Sequence, residues 1–66
     1  MLSENIRYYR TEAGCTMEQV AEFMCVDRSM IAHYESGFRR PSLDRLLQLA
    51  EFFNVSTDDL LEGEQP

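Results

Sequence analysis

Four side chains within six residues carry the chemistry most worth following. Arg28, Ser29, Ala32 and His33 fall on one side of a helical wheel, while Ile31 and Tyr34 fall on the other. The outer side then offers a guanidinium fork, a hydroxyl, a methyl and an imidazole. These groups suit base-pair edges in a major groove: arginine to guanine, serine or histidine to several acceptors, alanine to the thymine methyl. The same face also fits plain solvation, and these residues alone leave both readings open.

Other reactive side chains do not assemble. His33 is the one histidine and has no spaced partners for a metal. Cys15 and Cys25 have no adjacent Lys, Arg or His to lower a thiol pKa, so redox sensing is not expected. Two cysteines alone build neither a disulfide framework nor a zinc site. Among the methionines, Met24 reads as core filler, and Met17 and Met30 read as surface residues. There is no nucleophile with a base, no metal set and no glycine-rich phosphate loop. The expectation is a non-enzyme with no cofactor, no metal and no small-molecule ligand.

Positioning these residues requires helices, and the helix ends are written locally. Ser3 reads as the N-cap of helix 1, with Glu4 at its positive end and Gly14 past its end. Ile6, Tyr9 and Ala13 recur at helical spacing along it. Thr16 opens helix 2 and, with Gln19 three residues on, forms a capping box; Val20, Ala21 and Met24 make its apolar face. Asp27 caps helix 3, which runs to about Ser36 and stops at Gly37. Ser42 caps helix 4, where Leu43, Leu46, Leu47, Ala50 and Phe53 read as a broad buried face. Ser56 caps a short helix 5. The class is all-α, five helices in one domain spanning residues 1–66, without repeat or linker.

Only Cys25 and Val26 separate helix 2 from Asp27. So short a turn makes the two helices cross steeply, which is helix-turn-helix geometry.

Charge first argues against nucleic acid, because the net charge is -6. Its distribution reverses that reading. Residues 51–66 hold Glu51, Asp58, Asp59, Glu62 and Glu64 and no basic residue, whereas residues 28–45 hold Arg28, Arg39, Arg40 and Arg45 against Glu35 and Asp44. All six basic residues are arginine, the side chain suited to bidentate contact with phosphate or guanine. At 44% hydrophobic the chain is too apolar to be disordered. No apolar run reaches the roughly 18 residues of a membrane span, and no signal-peptide pattern opens the chain, so a cytoplasmic location is expected.

Several runs together resemble the Cro/Xre, or lambda-repressor-like, helix-turn-helix pattern. They are Thr16-Met17-Glu18-Gln19-Val20-Ala21, then Cys25-Val26-Asp27-Arg28-Ser29-Met30-Ile31, then Tyr34-Glu35-Ser36-Gly37. Arg40-Pro41-Ser42-Leu43, Leu46 to Ala50, and Asn54-Val55-Ser56 to Leu61 extend the resemblance over nearly the whole chain.

The resemblance implies that helix 3 is a recognition helix. Arg28, Ser29 and His33 would read bases, with Met30 and Ala32 as apolar neighbours. Thr16 and Met17 at the start of helix 2, and Phe38, Arg39 and Arg40 in the loop after helix 3, would hold phosphates. Arg10 of helix 1 would meet Glu35. The implied activity is sequence-specific transcription regulation by a homodimeric repressor on an inverted-repeat operator in double-stranded DNA. Antitoxins, restriction–modification controllers and interaction modules that have lost DNA binding share the pattern. Two departures stand out. Met17 replaces the family's usual glutamine, and Cys25 occupies a turn position where glycine is usual because φ is positive there.

Phe52 falls away from Leu43, Leu46 and Ala50 on the helix 4 wheel. An exposed Phe52, with Leu60 or Leu61, is therefore the expected dimer seam.

Overall fold

The computed structural model describes residues 1–63. Five helices follow in order: α1 (Leu2–Glu12), α2 (Met17–Met24), α3 (Arg28–Ser36), α4 (Leu43–Phe53) and α5 (Thr57–Glu62). No strand occurs among the described residues.

The start of α1 departs from the sequence expectation. Ser3 lies inside the helix, which begins at Leu2 after Met1. Leu2 is buried in the core, and drawing it inward carries the chain into helix two residues early. Ser3 faces the backbone of Gly37. Ala13 and Gly14 close α1: Gly14 N–H donates to Thr11 C=O at 3.0 Å and Cys15 N–H to Arg10 C=O at 3.1 Å. That bond pair is a Schellman motif, and Gly14 holds the left-handed conformation it requires at φ 70°.

The turn between α2 and α3 repeats the device without glycine. Cys25 adopts φ 57°, its N–H donates to Glu22 C=O at 3.2 Å, and Val26 N–H reaches Ala21 C=O at 3.0 Å. Its Cβ bears the steric penalty of the left-handed region. Val26 packs against the core immediately after. Thr16 and Gln19 form the expected capping box. Asp27 holds the N-cap position of α3, but its side chain makes no capping bond.

Ile6, Val20, Met24, Ile31, Leu49 and Leu60 are fully enclosed at the centre of the molecule. α3 packs chiefly on α2 and α1, α4 on α2, and α5 on α1 and α4. Within α4 the buried residues are Leu46, Leu49 and Ala50. Leu43 and Leu47, expected inside, are 69% and 50% exposed. The leucine-rich helix offers two overlapping stripes, and the core takes the one through Leu49.

The residues expected to form a dimer seam are less exposed than the sequence suggested. Leu60 has no exposed surface left to offer a partner. Phe52 is half-buried, because Phe23 of α2 lies against it with ring centroids 4.9 Å apart. Leu61 is half-buried and packs against the core.

Asn5 is the buried polar residue that the sequence did not single out. Its side-chain amide donates to the carbonyls of Leu60 at 2.9 Å and Gly63 at 2.8 Å. These are end carbonyls of α5, which a six-residue helix cannot satisfy internally. Asn5 therefore fastens α5 to α1.

Two outcomes follow from these contacts. Cys25→Gly should leave stability unchanged or raise it by up to about 1 kcal/mol, since glycine removes the Cβ clash but adds unfolded-state freedom. Asn5→Leu keeps the volume but orphans the α5 carbonyls, and should cost about 1–3 kcal/mol. Thermal and urea melts of both variants measure these changes.

Candidate nucleic-acid interface

α3 is gripped on its inner side and open on its outer side. Ile31 and Tyr34 are buried. Glu35 is fastened by Arg10 of α1: Nε donates to Oε2 at 2.5 Å and Nη2 to Oε1 at 3.1 Å. Arg10 Nη1 also donates to Cys15 C=O at 2.9 Å. The two side chains are only 15% and 4% exposed. Hydrogen bonding to Glu35 raises the Arg10 pKa above its ordinary value; partial burial opposes this and the charge of Glu35 adds to it. Arg10 thus stays cationic and joins α1, the lead into α2, and the last turn of α3.

On the outer side Arg28 and Ser29 are exposed in the first turn of α3, and Ala32 and His33 are half-buried one turn on. Met30, expected as an apolar neighbour of these residues, is half-buried and packs partly against the core. Met17 is half-buried, packing partly against the core while part of it stays at the surface. Its thioether donates no hydrogen bond, so only its backbone N–H could meet an anion.

The expected phosphate ligands divide. Thr16 uses its hydroxyl oxygen to accept from Gln19 N–H at 3.1 Å, and its own N–H donates to Gln19 Oε1 at 2.8 Å. The N–H groups of Met17 and Glu18, in the first turn, have no intrahelical partner. Phe38 offers no free backbone donor. Its N–H is taken by Ser36 Oγ at 3.2 Å, and its ring rests beside His33. Arg39 and Arg40 are exposed in the loop, and neither guanidinium pairs with a described residue.

Two arginines were misread or missed. Arg45, counted with the basic segment, is half-buried and donates through Nη1 to Met24 C=O at 3.2 Å and to Gln48 Oε1 at 3.1 Å. It sits at the negative end of α2 and braces the turn into α3. Arg7 was not singled out. It is exposed and borders a shallow depression with Met17, Ala32 and Ser36, placing a cation between α1, α2 and α3. Its spacing of three from Arg10 put it on the same side of α1, a signal available in the sequence.

Arg7 on α1, Arg28 at the start of α3, and Arg39 and Arg40 in the loop after α3 are the exposed arginines. Glu18 and Asp27 lie in the same segment and temper their charge. Among the described residues no group of His, Cys, Asp and Glu could hold a metal ion. No described helix is long and apolar enough to cross a membrane.

A family profile described as Helix-turn-helix matches residues 6–60. The chain belongs to this helix-turn-helix family, of the Cro/C1 type. The HTH-type transcriptional activator BcrR of Enterococcus faecalis is 38% identical over 63 residues, covering 96% of this chain and 31% of BcrR. The HTH-type transcriptional regulator ImmR of Bacillus subtilis is 37% identical over 64 residues, covering 97% of this chain and 50% of ImmR. The chain thus spans half or less of the length of these two relatives. The P22 c2 repressor, solved in complex with a synthetic operator, superposes with a TM-score of 0.90 at 25% identity over 97% of each chain. The five-helix, lambda-repressor-like architecture expected from the sequence is the one observed.

In this helix-turn-helix domain the Arg10 clamp sets the tilt of α3. Arg10→Met should leave Glu35 buried and unpaired, and cost about 3 kcal/mol. Arg7→Met, on an exposed and unpaired residue, should change stability by less than about 0.5 kcal/mol. Equal melting temperatures for the two variants would dissolve the clamp.

Proposed function

We propose that the chain is a sequence-specific DNA-binding transcription regulator that reads the major groove with α3. The observation carrying this reading is the outer face of α3. Arg28, Ser29, Ala32 and His33 share it, and Ile31, Tyr34 and the Arg10–Glu35 pair fix it from behind. A fork donor, a hydroxyl, a methyl and an imidazole on a rigid helix suit base edges. Around them Arg7, Arg39 and Arg40 would meet phosphates, as would the first-turn N–H groups of α2. The two-fold symmetry of operators supports a homodimer on an inverted repeat. Its apolar contact would be drawn from surface the monomer leaves open, including Leu43, Leu47 and Phe23. Repression would follow where the bound dimer overlaps a promoter, in the cytoplasm where bacterial DNA lies. No catalytic role is proposed.

Base readers and phosphate ligands make different demands, which the test exploits. Arg28→Ala should cost about 1–3 kcal/mol on the preferred duplex and little on random DNA. Arg39→Ala should weaken both duplexes alike and lower the salt slope by about one. A dimer should protect two half-sites on one face of the duplex, about 34 Å apart. The measurements are binding titrations at several salt concentrations, with footprinting. Equal weakening of both duplexes by Arg28→Ala would remove α3 as reader. A chain that binds no duplex even at low salt would overturn the whole reading.

A further inference from the structure

Phe38 is 75% exposed, an unusual position for a large aromatic ring, yet the chain around it is pinned. Gly37 at φ 83° turns the backbone off the end of α3. Phe38 N–H donates to Ser36 Oγ at 3.2 Å, and that hydroxyl donates to His33 C=O at 3.2 Å. Arg39 N–H donates to the same carbonyl, also at 3.2 Å. The loop is therefore folded back onto the residue that carries the imidazole. The phenyl ring ends 4.9 Å from the imidazole, centroid to centroid, at a tilt of 51°. That separation and tilt lie in the attractive range for aromatic pairs.

Histidine χ2 is a broad, roughly two-fold torsion, so an imidazole on a helix face does not orient itself. Neither ring nitrogen of His33 is bonded to another described residue, and the tilted phenyl ring of Phe38 lies beside the imidazole. We propose that Phe38 is a positioning residue for His33 in base reading. It holds the imidazole so that one ring nitrogen donates to the N7 of a purine in the major groove. The inference rests on α3 being the reading helix. Phe38 itself carries no donor toward phosphate, since its one N–H is already taken by Ser36.

The test begins with duplexes selected by the wild-type chain from a random pool. Wild type, Phe38→Ala, Phe38→Tyr, His33→Ala and the double alanine variant are then titrated on the selected duplex and on versions changed at each base pair. Phe38→Ala and His33→Ala should each lose preference, by roughly tenfold, at the same single base pair. The double variant should be no worse than His33→Ala, and Phe38→Tyr, which keeps the ring, should retain the preference. Affinity for random DNA and the melting temperature of Phe38→Ala should stay as in wild type, because the ring is mostly outside the core. Four results would overturn the inference alone: uniform weakening on every duplex, loss at a different base pair, additive effects in the double variant, or no loss. A His33→Ala variant as selective as wild type does the same. A wild-type chain that selects no sequence overturns both this inference and the reading of α3.

Discussion

The guanidinium of Arg10 is the point at which three segments of chain meet, and the outer face of α3 depends on it. One edge holds both oxygens of Glu35 near the end of α3, and the remaining nitrogen holds the Cys15 carbonyl just before α2 begins. A chain of this size buries only about 60% of its unfolded surface, so apolar packing alone leaves helix orientations loosely specified. A bidentate ion pair accepts one geometry, and its direction is its main contribution. The net energy is modest, because removing both charges from water offsets most of their attraction. Its rupture is costly for the same reason, since Glu35 is then buried without a partner.

Arg45 plays the same part at the other end of the reading unit. Its contacts with Met24 and Gln48 tie the last carbonyls of α2 to α4, just where Cys25 turns the chain. The left-handed Cys25 is thereby held by a Schellman bond pair, by the Val26 side chain and by an arginine brace. A single strained residue persists when its surroundings over-determine it. The turn tolerates cysteine because the two helices it joins are fixed elsewhere.

Much of this was legible in the sequence where the cause is local. Thr16 with Gln19, Ser42, Ser56, Gly14 and Gly37 mark helix ends through bonds within a few residues of themselves, and all hold their expected places. The positive φ at Cys25 was legible through the resemblance, since the family usually carries glycine at that turn position. What escaped was decided at long range. Ser3 lost the cap position to the burial of Leu2. Phe52 was covered by Phe23 from a different helix, and Leu60 was enclosed by α1 and α4. The choice of Leu49 over Leu43 and Leu47 depends on where α2 lies, which no wheel drawn on α4 contains. Asn5 and Arg45 found carbonyl partners 55 and 21 residues away. In the reading face, the side-chain types on α3 were visible, whereas the placing of Phe38 beside His33 required the path of the loop.

The arrangement also accounts for how a chain of net charge -6 can approach a polyanion. Two of six arginines, Arg10 and Arg45, are engaged with protein partners. The other four are exposed: Arg7 on α1, Arg28 on α3, and Arg39 and Arg40 in the loop after α3. Three of the twelve acidic residues, Asp58, Asp59 and Glu62, lie on α5, which packs on α1 and α4. Helix axes in contact are about 8–10 Å apart, so α5, one helix removed from α3, stands beyond the roughly 8 Å screening length of physiological salt. Those three carboxylates are screened from a DNA surface at α3, whereas Glu18, Glu22 and Asp27 stay close to it and offset part of the arginine charge. Lowering the salt lengthens the reach of both, so the distant acid regains weight as the phosphate attraction grows. Non-specific attraction still grows as salt falls, and sequence discrimination is left to the contacts that α3 makes with base edges.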